Sequence, residues 1–140
     1  MVDTGPYEPS ARLLAQAVDA LRAGLPGPAQ AAAANVLDTL IRTSMSPWKG
    51  YRSWLRLHPD DDELSMVQLR YVATMAPVRP ALEEFWPHRG DPVPALFNRH
   101  ATSHAVGDIQ YTQANAPVGV LLAVSIVREF HQHYSDHMET

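Results

Sequence analysis

Apolar residues recur every three or four positions along most of this chain, the period of a helix with one buried face, and no stretch alternates long enough to read as a strand. Leu13, Leu14, Ala17, Val18 and Leu21 share one side of such a helix, with Arg12, Gln16, Asp19 and Arg22 facing outward. It is predicted to open at Pro9 and Ser10 and to end at Gly24 and the Pro26-Gly27-Pro28 turn. A second helix is expected from about Ala29 to Thr43, where an alanine run permits close approach of a neighbour before Val36, Leu37, Leu40 and Ile41.

Ser46-Pro47 breaks this pattern, and the segment from Trp48 to Leu55 reads as a short helix or a packed loop. Its aromatics, beside Arg52 and Arg56, read first as core or lid and second as a surface on which a nucleobase stacks. Asp60-Asp61-Asp62-Glu63 marks the next helix start, since negative charge favours the positive end of a helix. Leu64, Val67, Tyr71, Val72 and Met75 supply its buried stripe, and Ala76-Pro77 closes it. A short helix from Pro80 carries Leu82, Phe85 and Trp86, followed by a loop over 87–92. Pro94 is placed in the first turn of a further helix that buries Leu96, Phe97 and Ala101 and terminates at Gly107. The last helix begins at Thr112 or at Asn115, with Pro117 near its first turn, where a missing amide costs least. From Val118 to Phe130 it is apolar nearly all round, which marks a central helix or a subunit interface, and residues 131–137 read as a polar tail.

These elements predict an all-α fold, a compact bundle of about five to six helices. At 140 residues the chain suits one domain, with residues 1–8 as a flexible leader, 9–134 as the helical domain and 135–140 as a polar tail. The absence of cysteine excludes disulfides and thiolate chemistry. The first residues lack the basic and apolar regions of a signal peptide, and the run from Ala116 to Val127 is shorter than the ~20 residues that cross a bilayer. A soluble cytoplasmic protein with no membrane partner is the expectation. A net charge of −4 argues against a broad basic surface, so any contact with nucleic acid must rely on local positive charge. Ten of the eleven basic residues are arginine, a choice that suits bidentate pairing with carboxylate or phosphate and that a GC-rich genome would also produce.

The densest chemistry lies in Phe97-Asn98-Arg99-His100-Ala101-Thr102-Ser103-His104-Ala105-Val106-Gly107. Arg99 and His104 stand at an R-x4-H spacing, and His100 and His104 are one helical turn apart, so their imidazoles share a face. Arginine matches phosphate oxygens, and histidine gives or takes a proton near neutrality. Without a metal, such groups suffice to cleave RNA: one imidazole takes the 2′-hydroxyl proton, another protonates the leaving 5′-oxygen, and a guanidinium steadies the phosphorus between them. Spacing alone is weak evidence, because Arg52 with His58 and Arg128 with His133 form comparable pairs. A metal reading stands beside it, since His100 and His104 have the i, i+4 spacing of a zinc helix. Ala101 stands where that motif needs glutamate, and no third ligand is evident, so no metal and no cofactor are expected.

With Tyr111 and Asn115-Ala116 downstream, this stretch resembles the HEPN superfamily of small all-helical proteins, whose hallmark is an arginine, a polar residue directly after it, and a histidine four to six residues on. His100 fills the polar slot, whereas Ala105 replaces a glycine and Pro117 a larger residue. The resemblance covers about twenty residues directly. It implies a metal-independent endoribonuclease, a toxin or defence effector held in check by an antitoxin or other inhibitory protein. Arg99 would then hold phosphate, His104 act as general acid or base, His100 assist or orient, and Asn98 position backbone or substrate. The alternative is a non-catalytic helical dimer of the same scaffold that binds RNA, a nucleotide or a protein. Geometry adds one constraint. Five residues along a straight helix turn through ~500°, which leaves Arg99 and His104 about 140° apart. A homodimer that faces the same helix from two copies across a shared groove resolves this, and the resemblance implies the same assembly.

Overall fold

Six α-helices and two 3-10 turns make up residues 5–44 and 66–138, the residues described in this computed structural model, with no strand among them. A turn at Gly5–Tyr7 leads into α1 (Glu8–Arg22) and α2 (Pro26–Ser44); then come α3 (Met66–Met75), α4 (Arg79–Leu82), a second turn at Pro87–Arg89, α5 (Arg99–His104) and α6 (Asn115–Met138). The all-α bundle matches the expected class. The aromatic segment 48–55, the Arg52 and His58 pair and the acidic helix start at 60–63 lie outside the described residues.

Helix α2 is the spine. It packs against α6, α1 and α5 through Ala29, Ala33, Ala34, Val36, Leu37, Leu40 and Ile41, all buried. The helix starts three residues before Ala29, because Pro26 and Pro28 sit in a first turn whose amides have no partner within the helix. The small residues at 29, 33 and 34 let α6 approach with Val120, Ala123, Ile126, Val127 and Phe130, and Leu14 and Ala17 of α1 close the cluster. From α3, Met75 joins this core, and Arg70 grips Glu129 of α6 with Nε 3.2 Å from Oε2. No described helix is long and apolar enough to cross a membrane.

Residues 5–8 and 131–138 are helical where the composition reads as leader and polar tail. Tyr134 of α6 stands edge-on to Tyr7 at 6.4 Å, while Tyr7 lies 6.2 Å from Phe130. The turn at Gly5–Tyr7 is thus packed on α6. Thr112 caps α6, its Oγ1 accepting the Asn115 amide at 3.0 Å, and Pro117 follows in the first turn, as the pattern indicates.

The tightest approach in the core joins α6 to the segment before α5. A β-carbon at Gly119 would lie 2.6 Å from Cε2 of Phe97, whose ring is buried and rigid. Gly119→Ala is therefore expected to destabilise the fold by about 1–3 kcal/mol despite the better helix propensity of alanine. Thermal and urea unfolding of the variant check this; an unchanged midpoint would refute the packing.

Candidate functional site

The segment expected to form the first turns of a long helix from Pro94 is instead non-helical up to Asn98, and α5 spans only Arg99–His104. The reason is a side chain standing in for a helix. Gln110, fully buried, donates through Nε2 to the carbonyls of Pro94 at 2.8 Å and Leu96 at 3.1 Å, and its Oε1 accepts the Asn98 amide at 2.8 Å. Asn115 takes the Ala95 carbonyl at 2.9 Å. With its backbone groups satisfied this way, the 94–98 strip needs no helical bonds. Gln30 of α2 completes the hub, its Nε2 reaching Thr102 Oγ1 at 3.1 Å and the Gln110 carbonyl at 2.8 Å. At its far end α5 stops at Ala105, two residues before Gly107, and Tyr111 OH donates to the Thr102 carbonyl at 2.9 Å. Burial raises the Tyr111 pKa, so this phenol stays neutral.

Asn98 is the N-cap of α5. Its Oδ1 accepts the Ala101 amide at 2.8 Å, and its Nδ2 donates to the carbonyls of Glu83 at 2.9 Å and Pro80 at 3.3 Å, tying α5 to the end of α4. Arg99 turns inward: at 4% exposure its Nη1 lies 2.6 Å from Oδ1 of Asp38 on α2, and the other oxygen of Asp38 takes Arg42 Nε at 2.7 Å. A phosphate reaches this guanidinium only after the ion pair opens. Asn98 and Arg99 therefore hold α5 in place from beneath.

The two histidines point the other way. Their rings stand edge to face with centroids 4.6 Å apart; His104 is exposed, and His100 is half-buried against Trp86 at 4.9 Å. His100 Nδ1 accepts the Phe85 amide at 3.0 Å, which leaves the neutral ring's proton on Nε2. Burial, then the nearby His104 and Arg99, lower the His100 pKa against the opposing pull of Glu84 and Asp38. A ring whose Nδ1 lone pair is taken and whose Nε2 carries hydrogen is a hydrogen-bond donor, not a proton acceptor. His104 is the ring of the pair left exposed to solvent.

Of the four residues singled out in the sequence, the structure thus groups His100 with His104 on an open face and puts Asn98 and Arg99 behind them. The sequence reading did not find Gln30, Asp38 and Gln110, the three partners that hold α5. Their trace is a polar residue inside an apolar run, as in Ala29-Gln30-Ala31 and Val36-Leu37-Asp38-Thr39-Leu40. Among the described residues no three histidine, aspartate or glutamate side chains are arranged to hold a metal ion. No protein-family model, curated protein or solved structure matches this chain.

Two expectations follow. Asp38→Ala removes a carboxylate from a cation that is almost wholly buried, and should cost about 2–4 kcal/mol in urea unfolding while Arg42→Ala costs less than about 1 kcal/mol. The folded state holds His100 below its ordinary 6.5, so the unfolded chain binds the extra proton. The stability this contributes is present above about 6.5 and is lost as pH falls through the depressed folded value. His100→Asn keeps an acceptor for the Phe85 amide without the charge, and its melting temperature should fall less than that of the wild type between pH 7 and pH 5. Parallel pH profiles would refute the assignment.

Proposed function

We propose that this chain is a HEPN-like, metal-independent endoribonuclease that acts as a homodimer, a toxin or defence effector restrained by an inhibitory protein. The observation that carries the reading is the division between two imidazoles on one open face: His104 exposed to solvent, and His100 held by its Nδ1 on the Phe85 amide as an Nε2–H donor. RNA supplies its own nucleophile. The 2′-oxygen bonds to phosphorus as the bond to the 5′-oxygen breaks; a neutral His104 takes the 2′-hydroxyl proton, and a protonated His104 gives a proton to the 5′-oxygen. The products are a 2′,3′-cyclic phosphate and a 5′-hydroxyl. Nε2–H of His100 is suited to the non-bridging oxygens, where charge develops.

One chain offers one imidazole for two proton transfers, so a second copy must bring the other. A surface suited to that copy is present on α6, where Val118, Leu121 and Val124 stand 45%, 66% and 41% exposed along one face opposite the buried stripe. Isologous pairing of such a stripe is the commonest route to a two-fold dimer.

A second reading is favoured by Arg99, whose engagement with Asp38 suits a scaffold that binds RNA, a nucleotide or a protein without cutting. One experiment separates the two. With EDTA present, wild type should cleave single-stranded RNA to cyclic-phosphate ends, and His104→Ala, an exposed substitution without folding cost, should lower the rate by about 10²-fold or more. Leu121→Glu should yield a monomer in sedimentation and the same loss. Equal cleavage by wild type and His104→Ala, or none by either, refutes the nuclease; an active monomer refutes the shared site.

A further inference from the structure

The histidine face carries a second feature that the reaction above does not use. Between α4 and α5 the chain makes the tight turn Trp86-Pro87-His88-Arg89-Gly90-Asp91, and its shape is fixed from within. The amides of Arg89 and Gly90 bond to the carbonyls of Trp86 at 2.9 Å and Pro87 at 3.0 Å. The Trp86 amide donates to Asp91 Oδ2 at 2.9 Å across the turn. Gly90 takes φ +79°, a left-handed conformation that lets the chain double back.

The turn lays the guanidinium of Arg89 over the Trp86 ring, with Cζ 5.2 Å from its centroid. The same ring meets His88 edge to face at 5.6 Å and His100 edge to face at 4.9 Å, and His100 in turn meets His104. Arg89, Trp86, His100 and His104 are therefore linked by successive contacts. Arg89 is exposed, and among the described residues no carboxylate lies within ion-pair distance of it. The acidic groups nearby are otherwise engaged: Asp91 by the Trp86 amide, Glu84 by the indole Nε1–H at 3.3 Å. Arg99, by contrast, is buried on Asp38.

We infer that Arg89 is the phosphate-binding cation of the histidine face, holding the phosphodiester next to the one presented to His100 and His104, with Trp86 as the positioning residue that holds its guanidinium. The ligand class is single-stranded RNA. A guanidinium held over an indole has less side-chain freedom to lose on binding, and its N–H groups can donate to a phosphate in bidentate fashion. In a protein of net charge −4, one preplaced arginine beside the reacting groups supplies the local attraction that the overall charge does not. The inference rests on reading the histidine pair as acting on RNA.

The test measures binding and cleavage separately. Binding of a fluorescent, 2′-O-methylated oligoribonucleotide, which lacks the nucleophile, is followed by anisotropy from low to physiological salt. Arg89→Gln should weaken it about tenfold and reduce the slope of log Kd against log salt by about 0.7, the value of one phosphate contact on a single strand. Arg89→Lys should restore most of the slope but less of the affinity, and Trp86→Ala should weaken binding while Arg89 still contributes to the salt slope. If Arg89→Gln binds with the wild-type slope, or if wild type does not bind, the inference is overturned. The two failures are distinguishable: cleavage that persists in Arg89→Gln with unaltered KM removes this subsite and leaves the reaction, whereas Arg89-dependent binding without cleavage by wild type removes the reaction and leaves the subsite.

Discussion

The side-chain amide of Gln110 decides the shape of this protein's open face. It meets the carbonyls of Pro94 and Leu96 and the amide of Asn98 at once, and passes the connection on to Thr102 and Gln30. Gln30, Thr102 and Gln110 at the centre of this hub are removed from water, where an unmet hydrogen bond costs about 1–3 kcal/mol. The hub thus permits an extended strip inside an all-helical bundle, and that strip brings Phe97 onto Gly119 and delivers Asn98 to the cap of α5. A single short helix is then located by four anchors: its cap, the Arg99 pair with Asp38, Thr102 in the hub and the Tyr111 hydroxyl. Six residues could not hold a helix alone, since nucleation is unfavourable at such lengths. Tertiary bonds do it for them.

How much of this was readable beforehand depends on the kind of interaction. The bundle, the buried stripes of α1, α2 and α6 and the start of α6 at Asn115, its amide held by Thr112, follow from local periodicity and turn chemistry, and the chain obeys both. The length of α5 does not. Pro94 and Leu96-Phe97 have the signature of a helix start, and the competitor that wins is a glutamine more than a dozen residues downstream, whose effect no local window contains. The helical character of residues 131–138 escaped for a related reason: Tyr134 there meets Tyr7 across the fold. Asn98, Arg99, His100 and His104 were identifiable as a group, but the direction each faces is set by Asp38, Glu83 and Phe85, partners 61, 15 and 15 residues away.

That direction separates the roles. Residues adjacent in sequence on a helix turn about 100° apart, so a contiguous Asn-Arg-His stretch cannot present all its groups to one ligand. The bundle takes the inward pair for structure. Arg99 is well suited to it, because a guanidinium tolerates burial against a carboxylate better than an ammonium does. The outward pair is left beside Trp86, in a setting that depresses protonation of one ring and leaves the other at the surface. Two like imidazoles 4.6 Å apart are thereby made unlike: the His100 ring is pinned to a backbone amide that forbids it a second proton without loss of that bond, whereas His104 stands exposed to solvent.

For the proposed reaction, the same asymmetry would require a second copy to complete the general acid and base chemistry. A proton acceptor and a proton donor must coexist, and two groups of the same kind coexist in opposite states most readily when each lies in a separate chain, brought together only at the phosphate. The proposed dimer would pair through the exposed apolar stripe on α6, and its two faces would each carry an arginine from the Trp86 turn. Repulsion among these cations would be relieved by bound RNA, whose successive phosphates carry the matching charge. Charge that a net-acidic protein keeps local ranks ligands by shape as well as sign, and under the proposed function an extended, flexible single strand is the polyanion it would favour.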